Sequence, residues 1–261
     1  MTDSGNEDLV LVREEGRVVV VTLNRPDKLN ALSAAVENRL MDIVASDQVR
    51  RAGALVFAGN GRAFCAGADV TEFRGLDPAS IMDYYQNAGR LYEIIADLPL
   101  LTVAAIHGYC MGGGFEMSLA CDVRIAERAA VFGLPEVGLG IVPSSGGLTR
   151  LVRAAGPARA KEVMLWRERF TAEQAAEYGL VTDVVESGAL AHAIDGAQRV
   201  AALPPLAVRA IKAASDVAAD ASRGANLLIE QLAYAALAQT ADANEAALAF
   251  EEKREPRFTG K

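Results

Sequence analysis

The chain has 261 residues, 51% hydrophobic and 23% charged, with a mean hydropathy of +0.16, enough apolar material for one large core and too much for extended disorder. Its 26 Lys and Arg against 34 Asp and Glu leave a formal charge of −8. The field of such a protein repels nucleic-acid phosphates and anionic membranes, yet a small anionic ligand can still be held by a few local cations or helix N-termini.

Residues 1–8 are polar and acidic and read as a loose tail, without the basic-then-apolar order of a signal peptide. Residues 9–13 and 18–23 are β-branched runs on either side of a hairpin signal, Glu14-Glu15-Gly16-Arg17. Val36, Leu40, Ile43 and Val44 recur at helical spacing, and residues 54–58 form the next strand. The stretch 77–92 reads as loops. Strands over 102–106 and 122–126 flank a helix over 115–120, which opens on Gly112, Gly113 and Gly114. This order predicts an α/β fold of repeated ββα units stacked in layers.

From Pro143 onward the strand signal shrinks to 181–185, and Ala-rich windows predict helices over 157–166, 171–178, 204–217 and 223–239. The expected organisation is a tail over 1–8, a ββα core over 9–200 and a C-terminal helical region over 201–261, with no low-complexity linker and no repeat of fixed period. The apolar runs 98–106 and 227–238 fall short of the ~18 residues that span a bilayer. Cys65, Cys110 and Cys121 are odd in number and lack metal-ligand spacing. A soluble, cytoplasmic protein in a reducing compartment is expected, with neither membrane nor nucleic acid as a partner.

Two glycine-rich loops could carry chemistry. Gly112-Gly113-Gly114-Phe115-Glu116 lies between a strand and a helix, where glycines let the backbone approach a ligand and leave N–H groups unpaired at the helix start. A developing oxyanion there would meet a donor and the positive end of the helix dipole. Ala66-Gly67-Ala68-Asp69 follows the strand at 54–58 and offers a second N–H. Either loop alone is equally an ordinary turn. Glu116 sits one turn into its helix, and Glu136 follows Pro135, which suits a first helical position. Each could simply complement a helix dipole, but two carboxylates at one apolar pocket can hold a water and divide acid and base roles.

Other residues carry less. His107 and His192 lie too far apart in sequence to suggest a metal cluster, and no metal is expected. Ser118, Ser144 and Ser145 are nucleophiles only if a base reaches them, and Cys65 reads as a packed small apolar residue.

Five blocks, Asn24-Arg25-Pro26-Asp27-Lys28-Leu29-Asn30-Ala31-Leu32, residues 63–69, Gly112 to Glu116, Phe132-Gly133-Leu134-Pro135-Glu136 and Phe250-Glu251-Glu252-Lys253-Arg254, stand in the order of the crotonase, or enoyl-CoA hydratase/isomerase, superfamily. The chain resembles that family over nearly its whole length. The resemblance implies a crotonase-like spiral of ββα units with a C-terminal helical trimerisation region, assembled as a trimer or as a hexamer made of two trimers. It implies an acyl-CoA thioester as substrate, with coenzyme A as part of that substrate and no separate cofactor.

By the same resemblance the thioester oxygen accepts hydrogen bonds from the amides of Ala68 and Gly113, Ala66 lies against the adenine, and Lys28 lies near the phosphates. Phe250 and Lys253 would meet the CoA of a neighbouring subunit, and Asp69 and Ser144 complete the expected binding set. Glutamates at both positions, 116 and 136, imply hydration of a trans-2-enoyl-CoA, with Glu136 activating water toward C3 and Glu116 handling the proton at C2. Within the family, fold alone does not give the reaction.

Pro143 is followed by Ser144, where typical straight-chain hydratases carry glycine. The surrounding segments also resemble the carnitinyl-CoA dehydratase branch, which is polar there. Trp166-Arg167-Glu168 stands where many relatives have a Thr-Gly turn. An enoyl-CoA isomerase, a non-catalytic acyl-CoA-binding protein and a serine hydrolase resembling the Clp-type proteases stand as alternatives.

Overall fold

A computed structural model describes residues 9–72 and 74–261; the tail expected over 1–8 lies outside them. A six-stranded sheet has the order β1 (Val10–Glu15), β2 (Val18–Leu23), β3 (Ala54–Gly59), β5 (Leu101–Ile106), β7 (Val123–Glu127) and β10 (Asp183–Val185). All neighbours are parallel except the β1–β2 hairpin. A smaller sheet has the order β4 (Ala63–Cys65), β6 (Tyr109–Met111), β8 (Val131–Gly133) and β9 (Phe170–Thr171).

The layering comes from a repeated device. The chain leaves the large sheet at the end of β3, β5 and β7 and enters the small sheet directly as β4, β6 and β8. The first two passes then continue into α3 (Pro78–Asp97) and α4 (Gly113–Ala120), and the third enters a 3-10 turn (Pro135–Leu139) before α5 (Gly147–Lys161). These are the expected ββα units. Because the passes are parallel and in register, the loops that follow β4, β6 and β8 gather at one place.

The large sheet is covered on both faces, so its strands read as unbroken apolar runs. Val19, Val21, Leu55 and Phe57 face a core shared with the small sheet, α1 (Ala34–Val44) and α3. Val18, Val20, Ala54 and Val56 face Ala193, Ala197 and Ala201 of α7 (Ala189–Ala201). Every residue of α4 is buried. Phe115 on this helix packs at 5.5 and 5.7 Å between ring centroids on Phe132 and Phe170. Such aromatic pairs contribute about 0.5–1.5 kcal/mol beyond area burial, and this cluster seats α4 on the small sheet.

Beyond the small sheet, three further differences from the sequence-based reading stand out. β1 runs on to Glu15 and leaves a two-residue turn with Gly16 first at φ 64°, the geometry that a tight hairpin with right-twisted strands requires. The stretch 77–92 belongs to the 20-residue helix α3, capped by Asp77 with Pro78 at its first position; its first half is largely solvent-facing, so apolar spacing emerges only at Ala88, Leu91, Tyr92 and Ile95. The helix expected from Pro157 begins at Gly147 instead and is broken at Gly156 (φ 78°, ψ 162°), before passing into a π-turn over Glu162–Trp166.

The last part of the chain is helical, with α8 (Pro205–Ala218), α9 (Arg223–Leu237) and α10 (Ala241–Glu252). Neither α8 nor α9 has a buried residue. Lys212 ties α8 to the main body through Asp122 at 2.9 Å and the Leu100 carbonyl at 3.2 Å. Buried Asp242 accepts the amides of Thr259 and Gly260, which fastens the terminal segment to α10. Among the described residues the three cysteines are free and buried, and no helix is long and apolar enough to cross a membrane.

The seat of α4 has a direct test. A methyl group on Gly114 would lie 2.5 Å from Cys65 Cβ and 2.6 Å from the Cys65 carbonyl oxygen on β4. Gly114→Ala is therefore expected to lower unfolding free energy by about 1–3 kcal/mol, read as a lower urea midpoint, and an unchanged midpoint would mean that the helix is not pinned there.

Candidate active site

The geometry of the first loop is built by the segment Arg25 to Leu32. Buried Asn30, at φ 57°, donates through its side-chain amide to the carbonyls of Asn60 and Ala63 and accepts from the Arg25 amide. The Ala66 amide donates to the Leu29 carbonyl, the Leu32 amide to the Gly67 carbonyl at 2.8 Å, and the Asp69 amide to the Leu32 carbonyl at 2.7 Å. This parallel bridge skips one N–H, that of Ala68, which has no acceptor among the described residues.

The second loop ends in the start of α4. Gly112 turns the chain at φ 48°, ψ −127°, a conformation that favours glycine, while its own amide donates to the Gly133 carbonyl. Gly113 is the first residue of the helix, where an amide has no intrahelical partner, and it too has no acceptor among the described residues. Its carbonyl is held by the hydroxyl of buried Tyr92, which donates to it at 3.1 Å. A methyl placed on Gly113 would stand 3.5 Å from the Ala68 nitrogen, so the two loops meet.

Glu116, 4% exposed, faces the same place. One oxygen, Oε1, accepts the amides of Ser145 at 2.9 Å and Gly147 at 3.0 Å. Burial raises its pKa above the ordinary glutamate value, against those two amides and the nearby Arg150 charge, which act to lower it. Glu136, 8% exposed in the 3-10 turn, has its Oε1 close to Gly112, while its buried Oε2 has no hydrogen-bond partner among the described residues. Burial first, with the charge of Glu116 adding, pushes its pKa up to about 7.

These groups line one cavity of about 80 Å³. It brings together the expected residues Ala66, Ala68, Gly113, Glu116, Glu136 and Ser144, with apolar walls that include Val70, Leu139 and Val142. Asp69 does not line it; its carboxylate pairs with Arg25 at 3.2 Å and accepts the Thr71 hydroxyl at 2.7 Å, bracing the loop. Lys28 is exposed beside the first loop. Phe250, 86% exposed, and Lys253, the left-handed cap of α10, lie outside the cavity.

The sequence-based reading missed Glu37, Tyr84, Tyr85 and Tyr92, all of which line the cavity. For Tyr92 the usable signal was its place in the apolar spacing of α3. For Glu37 it was a charge on the same face of α1 as Leu40 and Val44.

No serine-histidine-acid set is assembled among the described residues. Ser118 is fully buried and donates to the Phe115 carbonyl, His107 contacts the Gly61 carbonyl, and His192 contacts Asp183. The same residues form no cluster of three or more histidine, cysteine or acidic groups suited to a metal.

The carboxyl of Glu136 sets a pH dependence of stability. Its pKa rises from an ordinary 4.5 to about 7 on folding, so the folded state binds more protons in that window and stability falls as pH rises through it. Relative to the native protein, Glu136→Gln should gain about 1–3 kcal/mol between pH 4.5 and pH 8. Urea titrations at both pH values check this, and a constant difference would contradict the buried, unpartnered carboxyl.

The family model "Enoyl-CoA hydratase/isomerase" matches residues 13–261. The chain is 37% identical over 254 residues to the 2,3-dehydroadipyl-CoA hydratase of Escherichia coli (strain K12), covering 97% of this chain and 99% of that one. It is also 37% identical over 255 residues to an enoyl-CoA isomerase/hydratase of Mycosarcoma maydis, covering 92% of each. The crystal structure of an enoyl-CoA hydratase from Bacillus anthracis superposes with a TM-score of 0.91 at 35% identity, over 97% of this chain and 100% of the other. With the two sheets, the paired loops and the glutamate-lined cavity, these similarities identify the chain as a member of the enoyl-CoA hydratase/isomerase family.

Proposed function

We propose that this protein is an enoyl-CoA hydratase, which adds water across the 2,3 double bond of a trans-2-enoyl-CoA to give a 3-hydroxyacyl-CoA and catalyses the reverse elimination. The observation that carries this reading is the convergence of two unengaged backbone N–H groups and two buried glutamates on one cavity. Water addition needs one group to take a proton and another to give one, and two buried acids on one cavity can divide those roles.

In this reading the thioester oxygen sits between the Ala68 and Gly113 amides. As the water oxygen bonds to C3, the electrons of the double bond shift toward C1 and charge develops on the thioester oxygen as an enolate. Both donors are in place beforehand and the start of α4 adds its dipole, an arrangement worth roughly 3–4 kcal/mol per donor in the transition state. Glu136 takes the proton of the attacking water with its unpartnered Oε2. Glu116, starting in its protonated form and fixed through Oε1, turns its other oxygen to C2, delivers the proton there and is left ionised. Burial suits both tasks, since it raises both acids toward the working pH.

The coenzyme A part of the substrate needs no other cofactor. Lys28 and Ala66 flank the first loop on the way out of the cavity and would take its phosphates and adenine. Exposed Leu228 and Leu232 on α9 and Phe250 on α10 support self-association as a trimer or a dimer of trimers, with Phe250 and Lys253 reaching the CoA of a neighbouring subunit. Ser144 adds a hydroxyl to the cavity wall, at a position that is polar in the carnitinyl-CoA dehydratase branch.

The reading is tested with crotonyl-CoA and longer trans-2-enoyl-CoAs. The native enzyme should abolish the conjugated enoyl-thioester absorbance, and Glu116→Gln and Glu136→Gln should each lower kcat by about 10²–10⁴-fold with small changes in KM. Full activity in either variant, or binding without turnover across the panel, would overturn it. Since Glu136 must be ionised to accept the proton, kcat/KM for hydration should rise with pH through about 7, and a pH-independent kcat/KM across that range would remove Glu136 from the role of base.

A further inference from the structure

A third acid faces the cavity and has no part in the chemistry above. Glu37 lies in the first turns of α1, whose Val36, Leu40, Ile43 and Val44 enter the core. It is 8% exposed and lines the cavity, yet no hydrogen bond or ion pair reaches its carboxyl among the described residues. A largely buried acid without a protein partner carries a desolvation cost that a hydrogen-bond donor entering the cavity, water or part of a ligand, relieves.

Its place differs from that of the catalytic pair. Glu37 sits on α1 and Glu116 on α4, and α3, which carries Tyr84, Tyr85 and Tyr92, packs against both helices. The tyrosines of α3 therefore line the wall between Glu116 on α4 and the third acid on α1. With the reacting double bond at Glu116 and Glu136, the rest of the acyl group has this tyrosine-lined space to run into, ending at Glu37.

We propose that Glu37 is a specificity-determining residue that receives the far end of the acyl group and selects chains carrying a hydrogen-bond donor, a hydroxyl or an ammonium, over plain hydrocarbon and over carboxylate-ended chains. The proposal rests on the acyl-CoA reading of the site. A hydrocarbon end leaves the buried acid unpartnered. A carboxylate end adds a like charge to a cavity that already holds three acids and, among its described lining residues, no lysine, arginine or histidine. Burial, with the Glu72 charge second, pushes the Glu37 pKa up to about 7. Both protonation states then occur near neutrality, and a donor is accepted by either.

Saturated thioesters separate recognition from turnover. Calorimetric affinities of hexanoyl-CoA, 6-hydroxyhexanoyl-CoA, 6-aminohexanoyl-CoA and adipyl-CoA are compared for the native protein, Glu37→Gln and Glu37→Leu. The native protein should bind the hydroxy and amino thioesters at least about tenfold tighter than hexanoyl-CoA, with adipyl-CoA weakest. Glu37→Gln should keep the hydroxyl preference and lose the ammonium one, while Glu37→Leu should favour hexanoyl-CoA. The same ranking in native protein and Glu37→Leu, or adipyl-CoA as the tightest ligand of the native protein, would overturn the assignment. Flat affinities with intact hydration of crotonyl-CoA would sink the Glu37 assignment alone. Binding of none of the thioesters would overturn the acyl-CoA reading with it.

Discussion

One carboxylate oxygen, Glu116 Oε1, takes two backbone amides from the turn that opens α5, and much of the site depends on that junction. Each such charge-assisted bond to a buried carboxylate contributes about 1.5–3 kcal/mol. A methyl on Gly147 would fall 2.5 Å from the same oxygen, so the turn approaches the acid as closely as a bare backbone allows. The turn is fixed to α4, and the side chain of Glu116 is fixed in return. Its second oxygen is left free of hydrogen bonds among the described residues, turned toward the cavity.

The remaining parts follow from how the ββα units repeat. Each pass leaves the large sheet, makes a few residues of the small sheet and then turns, and the in-register pairing brings the turns together. Two of these turns present an amide without an acceptor, at Ala68 and Gly113, and the third carries Glu136. Their differences lie in hydrogen bonding. The amide of Ala68 is passed over by the bridge to Leu32, and that of Gly113 is left over because it starts a helix. Glu116 is held by two amides of the turn that opens α5, and no residue of that turn holds Glu136. On the proposed reading these differences divide the work between donor loops and between acids.

Much of this was legible in the sequence, because the strands of a sheet covered on both faces show as apolar β-branched runs. β2, β3, β5 and β7 stand within a residue or two of where the pattern puts them. The small sheet was not, since strands of two or three residues such as β4, β6, β8 and β9 are shorter than the alternation that reveals a strand. α3 was hidden by its largely exposed first half, and with it Tyr84, Tyr85 and Tyr92. The loop glycines and both glutamates could be named from the blocks they sit in, but their environments could not. Nothing in the spacing told that Glu116 would be tied by two amides, or that Glu37 would face the same cavity without a partner. Asp69 shows the converse: it stands in a recognisable block, and the structure uses it to brace the loop through Arg25 and Thr71. The segment Trp166-Arg167-Glu168 leaves the π-turn and packs its Glu168 carbonyl close to Gly133, which accounts for its fit against β8 but not for its composition.

The central claim is that the two glutamates act on one water across the double bond, and isotope labelling tests it most directly. Crotonyl-CoA is incubated with the enzyme in H₂¹⁸O and, separately, in D₂O, and the recovered thioesters are analysed by mass and NMR. The account predicts a 3-hydroxy product with one ¹⁸O at C3 in the first case and one deuterium at C2 in the second. Recovery of a thioester with a migrated double bond that has taken up deuterium but no oxygen from water would contradict it.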